Sequence, residues 1–359
     1  MKFERLQLRG LRCIGEASLD LADGFNVLVG ANGAGKTSVL EAAFLLSHGR
    51  SFRSGSRDVL TQRGASGLSI FSTVRHGDAR VVRLGLGREG TRWDARVDGA
   101  DVPIGQLVRE CAVVCFEPGS HALIAGSAEE RRRFLDWGVF HVEHDFLYMW
   151  RRYQRALKQR NSLLRKESSV LEDLYGPWEQ ELARAGTQID QWRRRYLDAL
   201  LPYVSEQAAL FLGELGDVEL RYRPGWPEGE DLAGTLAAQR TRDQAKGHTT
   251  AGVHRADWSL SFAHAPQREH LSRGQEKLVA LASLLAQARL DADHRGEWPV
   301  ICLDDLASEL DLAHQASVVE SLLAVPAQVL ITGTEMPKPL EQAPNRLFHV
   351  EQGRFTPLL

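Results

Sequence analysis

The 359-residue sequence has no surplus of either charge, no paired cysteines and no long apolar run, and each absence removes a class of protein. With 44 Lys and Arg against 47 Asp and Glu, the formal net charge is −3, so nothing attracts polyanions in general. Any nucleic-acid contact has to come from a local patch. The four cysteines (Cys13, Cys111, Cys115 and Cys302) form no CxxC pair, and three lie in apolar runs. They read as small hydrophobes in a reducing compartment, not as a disulfide frame or a metal site. The opening MKFERLQLRG is charged throughout, unlike a signal peptide. No apolar run approaches the roughly 18 residues of a membrane span, so a soluble, cytoplasmic chain without a membrane partner is expected. Internal repeats, low-complexity tracts and sustained heptads are missing as well. What remains, 43% hydrophobic and 25% charged residues, is an ordinary globular composition with enough chain for one large domain or two.

The patterns give an α/β core. FERLQLRGLRCIGEASLDLADGFNVLVG alternates, turns at ADG and ends in a buried strand. A helix is predicted from about Lys36 to Ser47, with Val39, Leu40, Ala43, Phe44 and Leu46 on its apolar side. Between Leu68 and Val102 the turn signals HGD, GREG and DGAD predict an antiparallel meander. CAVVCF reads as a further strand. From about Glu129 to Gly213 turn chemistry nearly vanishes. Leu182, Ala185, Ile189, Trp192, Tyr196 and Leu200 make one helical stripe, which Pro202 is expected to interrupt. Trp137, Trp150, Trp178 and Trp192 read as core. A helix to about Leu290, strands VICL and AQVLITGT, and a hairpin RLFHVEQGRF complete the chain. The expected division is 1–118 and 248–359 as the core, split by a compact helical lid at 119–247.

GANGAGKTS fits the phosphate-binding pattern G-x-x-x-x-G-K-[ST] and follows a buried strand into a helix. Gly30, Ala31, Asn32, Gly33, Ala34, Gly35 and Ser38 supply loop and first-turn backbone N–H groups that turn around phosphate oxygens. Lys36 brings positive charge to the β- and γ-phosphates, and the Thr37 hydroxyl can ligate Mg²⁺. VICLDDLASELD is the matching acidic strand. Asp304 at its C-terminal end can reach that Mg²⁺, and Asp305 points elsewhere and can polarise an attacking water. The competing reading of this pair is two helix N-caps. Because Asp is one methylene shorter than Glu, a slow hydrolysis is expected, well below roughly 10 per second. ATP and Mg²⁺ are therefore the predicted cofactors.

LSRGQEKLVALASLLAQARL raises a second anion site. Ser272 and Gly274 place a hydroxyl and an unblocked N–H at a helix predicted to begin near Gln275, with Arg273 adding charge. For an isolated helix, Ser272 and Gln275 would be a plain capping box.

The order GANGAGKTS, LSRGQ, DD, SELD resembles that of ABC-type ATPase heads, SMC proteins included. FLDWGVFH, LKQRNSLLR, HRAD and LSRGQEK together resemble the RecF family of bacterial recombination mediators. The resemblance implies an ABC-type P-loop head, a mixed sheet with helices plus an antiparallel β-subdomain, carrying an inserted α-helical lid. It implies that Ser272, Arg273, Gly274 and Gln275 act in trans, on ATP held by Lys36 of a second copy, in an ATP-dependent homodimer. Ser308 and Asp311 would pass nucleotide state across that junction, and Arg12 would reach a phosphate. It further implies a slow, DNA-stimulated ATPase of recombinational repair that binds single- and double-stranded DNA at gaps and acts with RecO and RecR. Several positions depart from the pattern: Cys13 stands where Asn is usual, Thr332 and Thr334 where transporters carry a His, and Glu117 where a Gln would be. The alternatives are a transporter ATPase subunit, a small-molecule P-loop kinase, and a scaffold clamped by ATP without hydrolysis. HRAD, His254 to Asp257, has no role assigned.

Basic clusters in the lid are the candidates for DNA: Arg151, Arg152, Arg155 and Lys158 on one helical face, with Arg160, Arg165 and Lys166 following. Arg131, Arg132 and Arg133, and Arg193, Arg194 and Arg195, flank them. Some of these are expected to pair with acids such as Glu129 and Glu130. Arg50, Arg53, Arg57 and Arg63 form another group, facing DNA or the nucleotide. Such phosphate contacts predict salt-sensitive, sequence-independent affinity.

Overall fold

Alternating burial, shifted by a bulge between Phe3 and Arg5, puts Phe3, Leu6 and Leu8 of β1 (Lys2–Leu11) and Leu19 of β2 (Ile14–Asp20) in one core. The computed structural model describes residues 1–53, 60–165 and 172–358, so Arg57 and Lys166 lie outside the described residues. The chain divides into two compact units, Met1–His121 with Glu206–Gly213 and Arg273–Leu359, and Ala122–Ser205 with Glu214–Ser272. The expected core began at 248, yet residues 248–272 belong to the second unit. The reason is pairing: that stretch contains a strand that pairs antiparallel with another strand of the insertion.

In the first unit, the almost wholly buried β3 (Phe25–Val29) leads into α1 (Lys36–His48), buried on nearly every side. β4 (Gly67–Arg75), β5 (Val81–Glu89), β6 (Arg92–Val97) and β7 (Ala100–Val102) form the meander read from the turn signals. With β1 and β2 they make a six-stranded antiparallel sheet in the order β2-β1-β4-β5-β6-β7. α2 (Ile104–Arg109) then leads to β8 (Val113–Phe116).

The second unit holds α3 (Ala122–Ala125), α4 (Ala128–Val142), α5 (Phe146–Leu164) and most of α6 (Gly176–Leu212). Pro202 sits inside α6 and does not end it. A proline costs a helix interior roughly 3 kcal/mol, but Leu197, Leu200 and Val204 around it are all buried and offset that. β9 (Val218–Arg223), α7 (Leu232–Ala238), α8 (Arg240–Lys246) and β10 (Asp257–Phe262) follow, with β9 and β10 paired antiparallel. The insertion is thus mainly helical, with a two-stranded sheet that alternation too short to detect concealed.

α9 (Arg273–Arg295), β11 (Val300–Leu303), α10 (Leu306–Glu309), α11 (Leu312–Leu323), β12 (Val329–Gly333), β13 (Asn345–Glu351) and β14 (Arg354–Pro357) return to the first unit. Its second sheet runs β14-β13-β3-β12-β11-β8, parallel except for β14. Parallel strands put the loops after β3, β11 and β8 at one end, where such sheets bind ligands. No helix among the described residues is long and apolar enough to cross a membrane.

Candidate nucleotide-binding site

Gly30 ends β3 against β13 so closely that a Cβ would stand 2.1 Å from the Val350 carbonyl oxygen. Any larger residue would part the two strands, so this first glycine of the motif serves packing. The loop that follows closes on Gly35, in a left-handed conformation at φ 111° as the N-cap of α1, with no side-chain cap bond. The first turn of a 13-residue helix therefore presents its N–H groups without a side-chain acceptor, as anion binding requires. Lys36 is folded back on the loop: its Nζ donates to the carbonyls of Gly30 at 2.7 Å and Ala31 at 2.9 Å. Burial lowers its pKa, against the raising influence of the Asp305 and Asp304 charges.

At the end of β11, Asp304 accepts two hydroxyl hydrogen bonds on the same Oδ1, from Thr37 at 2.8 Å and Thr332 at 2.6 Å. Burial raises its pKa, and those two hydroxyls pull it back. The Asp305 N–H donates to Thr332 Oγ1 at 3.0 Å, in a left-handed backbone at φ 53° that is uncommon away from glycine. Asp305 stands at the N-cap position of α10 but its carboxylate makes no cap bond. Thr332 therefore joins both acidic positions.

Arg12, also left-handed at φ 56°, holds the buried Glu41 with a guanidinium fork, Nε to Oε2 at 2.9 Å and Nη2 to Oε1 at 2.6 Å. This bond raises its pKa. The Ser51 hydroxyl donates to the same carboxylate, and Arg53 lies 3.9 Å from it. Glu41 was missed in the sequence. Its signal was one carboxylate on an otherwise apolar helix.

A cavity of about 520 Å³ is lined by Asn32 to Ser38, Arg12, Cys13, Phe52, Arg53, Glu117, Pro118, Asp304, Asp305 and Thr332. The predicted nucleotide residues are thus gathered, with Gly30 and Ala31 serving Lys36 through their carbonyls. Glu117, at the Gln-loop place, lines it with a pKa raised by burial and accepts the Gly119 N–H at 2.6 Å. The donor set fits Mg²⁺–ATP: a hydroxyl and a carboxylate 2.8 Å apart beside an uncapped helix start.

The second anion stretch does not line this cavity. α9 begins at Arg273, earlier than predicted, so Gly274 is in its first turn. Arg273, Gly274 and Gln275 do not line the cavity, and Ser272 belongs to the other unit. Ser308 is exposed, and its N–H donates to the Asp305 carbonyl at 2.9 Å. Asp311 caps α11, accepting the His314 N–H at 2.9 Å, which lowers its pKa.

The basic clusters need correction. Arg152 gives its fork to Glu181, with Nη2 to Oε2 at 2.7 Å. Arg160 is fully buried, bonded to Asp243, Glu179, Thr249 and the Leu236 carbonyl. Arg131 forks onto Asp257, Arg132 reaches the Ala256 carbonyl, and Arg133 pairs with Glu129 and Glu130 as expected. Arg193 forks onto Asp136, Arg194 pairs with Asp190 and Arg195 with Glu143. Spacing could show a basic face but not the acids folded against it. Arg151, Arg155 and Lys158 remain exposed. In HRAD, His254 bridges the Tyr153 hydroxyl at 2.7 Å and the Thr249 carbonyl at 3.1 Å, and burial lowers its pKa to about 4. Its role is to tie the insertion together.

Residues 2–354 match the family described as "RecF/RecN/SMC N terminal domain". The chain is 50% identical over 364 residues to the "DNA replication and repair protein RecF" of Xanthomonas euvesicatoria, covering 99% of this chain and 98% of that one. It is 39% identical over 362 residues to the protein of that name from Pseudomonas putida, covering 99% and 98%. Among solved structures it is similar to the "recombination mediator protein RecF-ATP in RecFOR pathway", at a TM-score of 0.91 and 25% identity, covering 99% and 97%. An Smc head domain from Pyrococcus furiosus shares the fold, at a TM-score of 0.58 and 17% identity over 99% and 95%.

Proposed function

This chain belongs to the RecF family, within the RecF/RecN/SMC class, and on that premise we propose that it is an ATP-switched DNA-binding protein of replication and recombinational repair. The support is one arrangement: Lys36, Thr37, Asp304 and Asp305 meet in a single cavity that none of Arg273, Gly274 and Gln275 lines. The family matches carry the repair role, and a relative has been solved with ATP.

In the proposed cycle, the first-turn N–H groups of α1 and the Lys36 ammonium bind and orient the phosphates. Lys36 leaves two neutral carbonyls to do so, with no carboxylate to detach from. Thr37 and Asp304 would hold Mg²⁺, whose contribution is to neutralise charge on the phosphate oxygens. Asp305 orients the attacking water, with its carboxylate uncommitted to the helix behind it. Ser272 and Gly274 of a second copy cover the terminal phosphate, so that ATP joins two chains and hydrolysis parts them. Ser308 and Asp311 stand beside Asp305 and α11 to pass that change on. Hydrolysis is slow and stimulated by DNA. Arg151, Arg155 and Lys158 contact single- and double-stranded DNA at gaps, and RecO and RecR complete the pathway in the cytoplasm.

The decisive experiment is Ser272→Arg, followed by sedimentation with ATP, ADP and no nucleotide. The variant should bind ATP like the parent chain and remain monomeric. Dimers of normal strength in that variant would refute the arrangement.

A further inference from the structure

Within the second unit, many arginines are spent on a carboxylate or a carbonyl. One cavity gathers arginines that are not. It has a volume of about 600 Å³ and lies between the loop after β9, the loop before β10 and α8. That size is within the roughly 300–1,000 Å³ of sites that enclose small ligands. Three arginines line it, Arg223, Arg242 and Arg255. Among the described residues, the side chains of Arg242 and Arg255 have no hydrogen-bond or ion-pair partner. Arg255 is also the one charged residue of HRAD that holds nothing in place, since His254 bridges Tyr153 and Thr249 while Asp257 is held by Arg131.

Two carboxylates face the same space, Glu228 and Asp257. Asp257 is already neutralised by the Arg131 fork at 2.7 and 3.1 Å, and Arg223 approaches it only at 3.4 Å. The balance is cationic. The walls are partly apolar. Pro224, Trp226 and Pro227 line one side, and the Trp226 indole N–H is anchored to the Glu230 carbonyl at 3.2 Å. Gly225 holds the two loops together: at φ 94°, a Cβ there would stand 2.3 Å from the Gly252 carbonyl oxygen. These contacts restrain the loop after β9, which limits the entropy that loop loses on binding.

We propose that this cavity takes one unstacked nucleotide of a single DNA strand, with Arg242 and Arg255 on the phosphate and Trp226 beside the base. The proposal rests on the DNA-binding reading above. Guanidinium forks match phosphate oxygens, and an aromatic wall suits a base of any identity. Duplex DNA, whose bases stay stacked inside, presents no free base to the Trp226 wall. A single-stranded segment at a gap does, so the site discriminates by strand state and not by sequence.

The test measures binding of a fluorescein-labelled oligothymidine to the full chain by anisotropy, over a salt series. Arg242→Ala with Arg255→Ala should weaken binding about tenfold or more and reduce the salt slope by roughly one to two. ATP affinity should stay unchanged. Trp226→Phe should cost only a few-fold, since a ring remains. If the alanine pair does not fold, Arg242→Lys with Arg255→Lys replaces it. That pair keeps charge but loses the fork, and should bind a few-fold more weakly than the parent. Parental affinity in a folded variant of either pair overturns the site. So does displacement of the oligothymidine by poly-glutamate as readily as by unlabelled strand, which would assign the cavity to an acidic peptide. A parent chain that binds no DNA at all would instead defeat the functional reading, leaving the two failures distinguishable.

Discussion

The Arg160 network of the second unit and the Lys36 and Asp304 groups of the first handle buried charge in opposite ways. In the second, Arg160 is fully buried and closes on Glu179, Asp243, Thr249 and a carbonyl, so each donor and acceptor finds a complementary group. In the first, Lys36 and Asp304 are satisfied only provisionally. Lys36 rests on two neutral carbonyls, and Asp304 is met by hydroxyls instead of a cation. A closed network is costly to open and gives a scaffold; an under-neutralised one is prepared for a charged ligand. This contrast separates site from frame better than residue type does, because both regions are rich in the same side chains.

The largest effect should come from opening the closed network. Arg160→Ala leaves Asp243 buried without its cation, and should cost about 3–5 kcal/mol in urea denaturation of the whole chain. A loss below about 1 kcal/mol would mean the network carries little.

Next is the pH response of the same unit. His254 has a native pKa of about 4 against an unfolded value of roughly 6.5. Its folded pKa is depressed, so the unfolded chain takes up the proton first. Stability from the neutral imidazole is complete above pH ~6.5 and falls as pH drops towards ~4, by roughly 3 kcal/mol. His254→Asn should flatten that slope in melts between those limits. An unchanged slope would place the sensitivity elsewhere.

In the other unit, Lys36→Ala should leave the fold intact while ATP affinity falls about ten- to hundredfold, since Lys36 is held only by two neutral backbone carbonyls and pairs with no buried charge. Measured by nucleotide titration beside a thermal melt, a large drop in stability would show that the ammonium is structural after all. The smallest effect expected is at Thr332. Thr332→Val removes the hydroxyl shared by Asp304 and Asp305, and should lower turnover about tenfold. ATP affinity without Mg²⁺ should change little, and Thr332→Ser should recover most of the rate. Equal rates for Val and Thr would make Thr332 a packing residue.

Much of the site could be read from local pattern. GANGAGKTS and VICLDD name the groups that meet at the cavity because each is a short strand-to-helix junction whose chemistry is set by adjacent residues. The meander after the P-loop helix was legible for the same reason: its turns are marked by glycine and aspartate. Glu41, Ser51 and Phe52 were not, since their relation to Arg12 depends on how the segment after α1 folds back. Thr332 could be named but its bonding could not. Only the parallel register of β11 against β12 brings its hydroxyl to Asp304.

Local pattern was enough to specify the phosphate-binding loop, the acidic strand and the helical character of the insertion, because these follow from neighbours three or four residues apart. The tertiary structure alone decided which arginines stay free, where β10 pairs and how Pro202 is tolerated within α6. Those outcomes depend on groups far apart in the chain, whose burial and pairing outweigh local preference once they are packed.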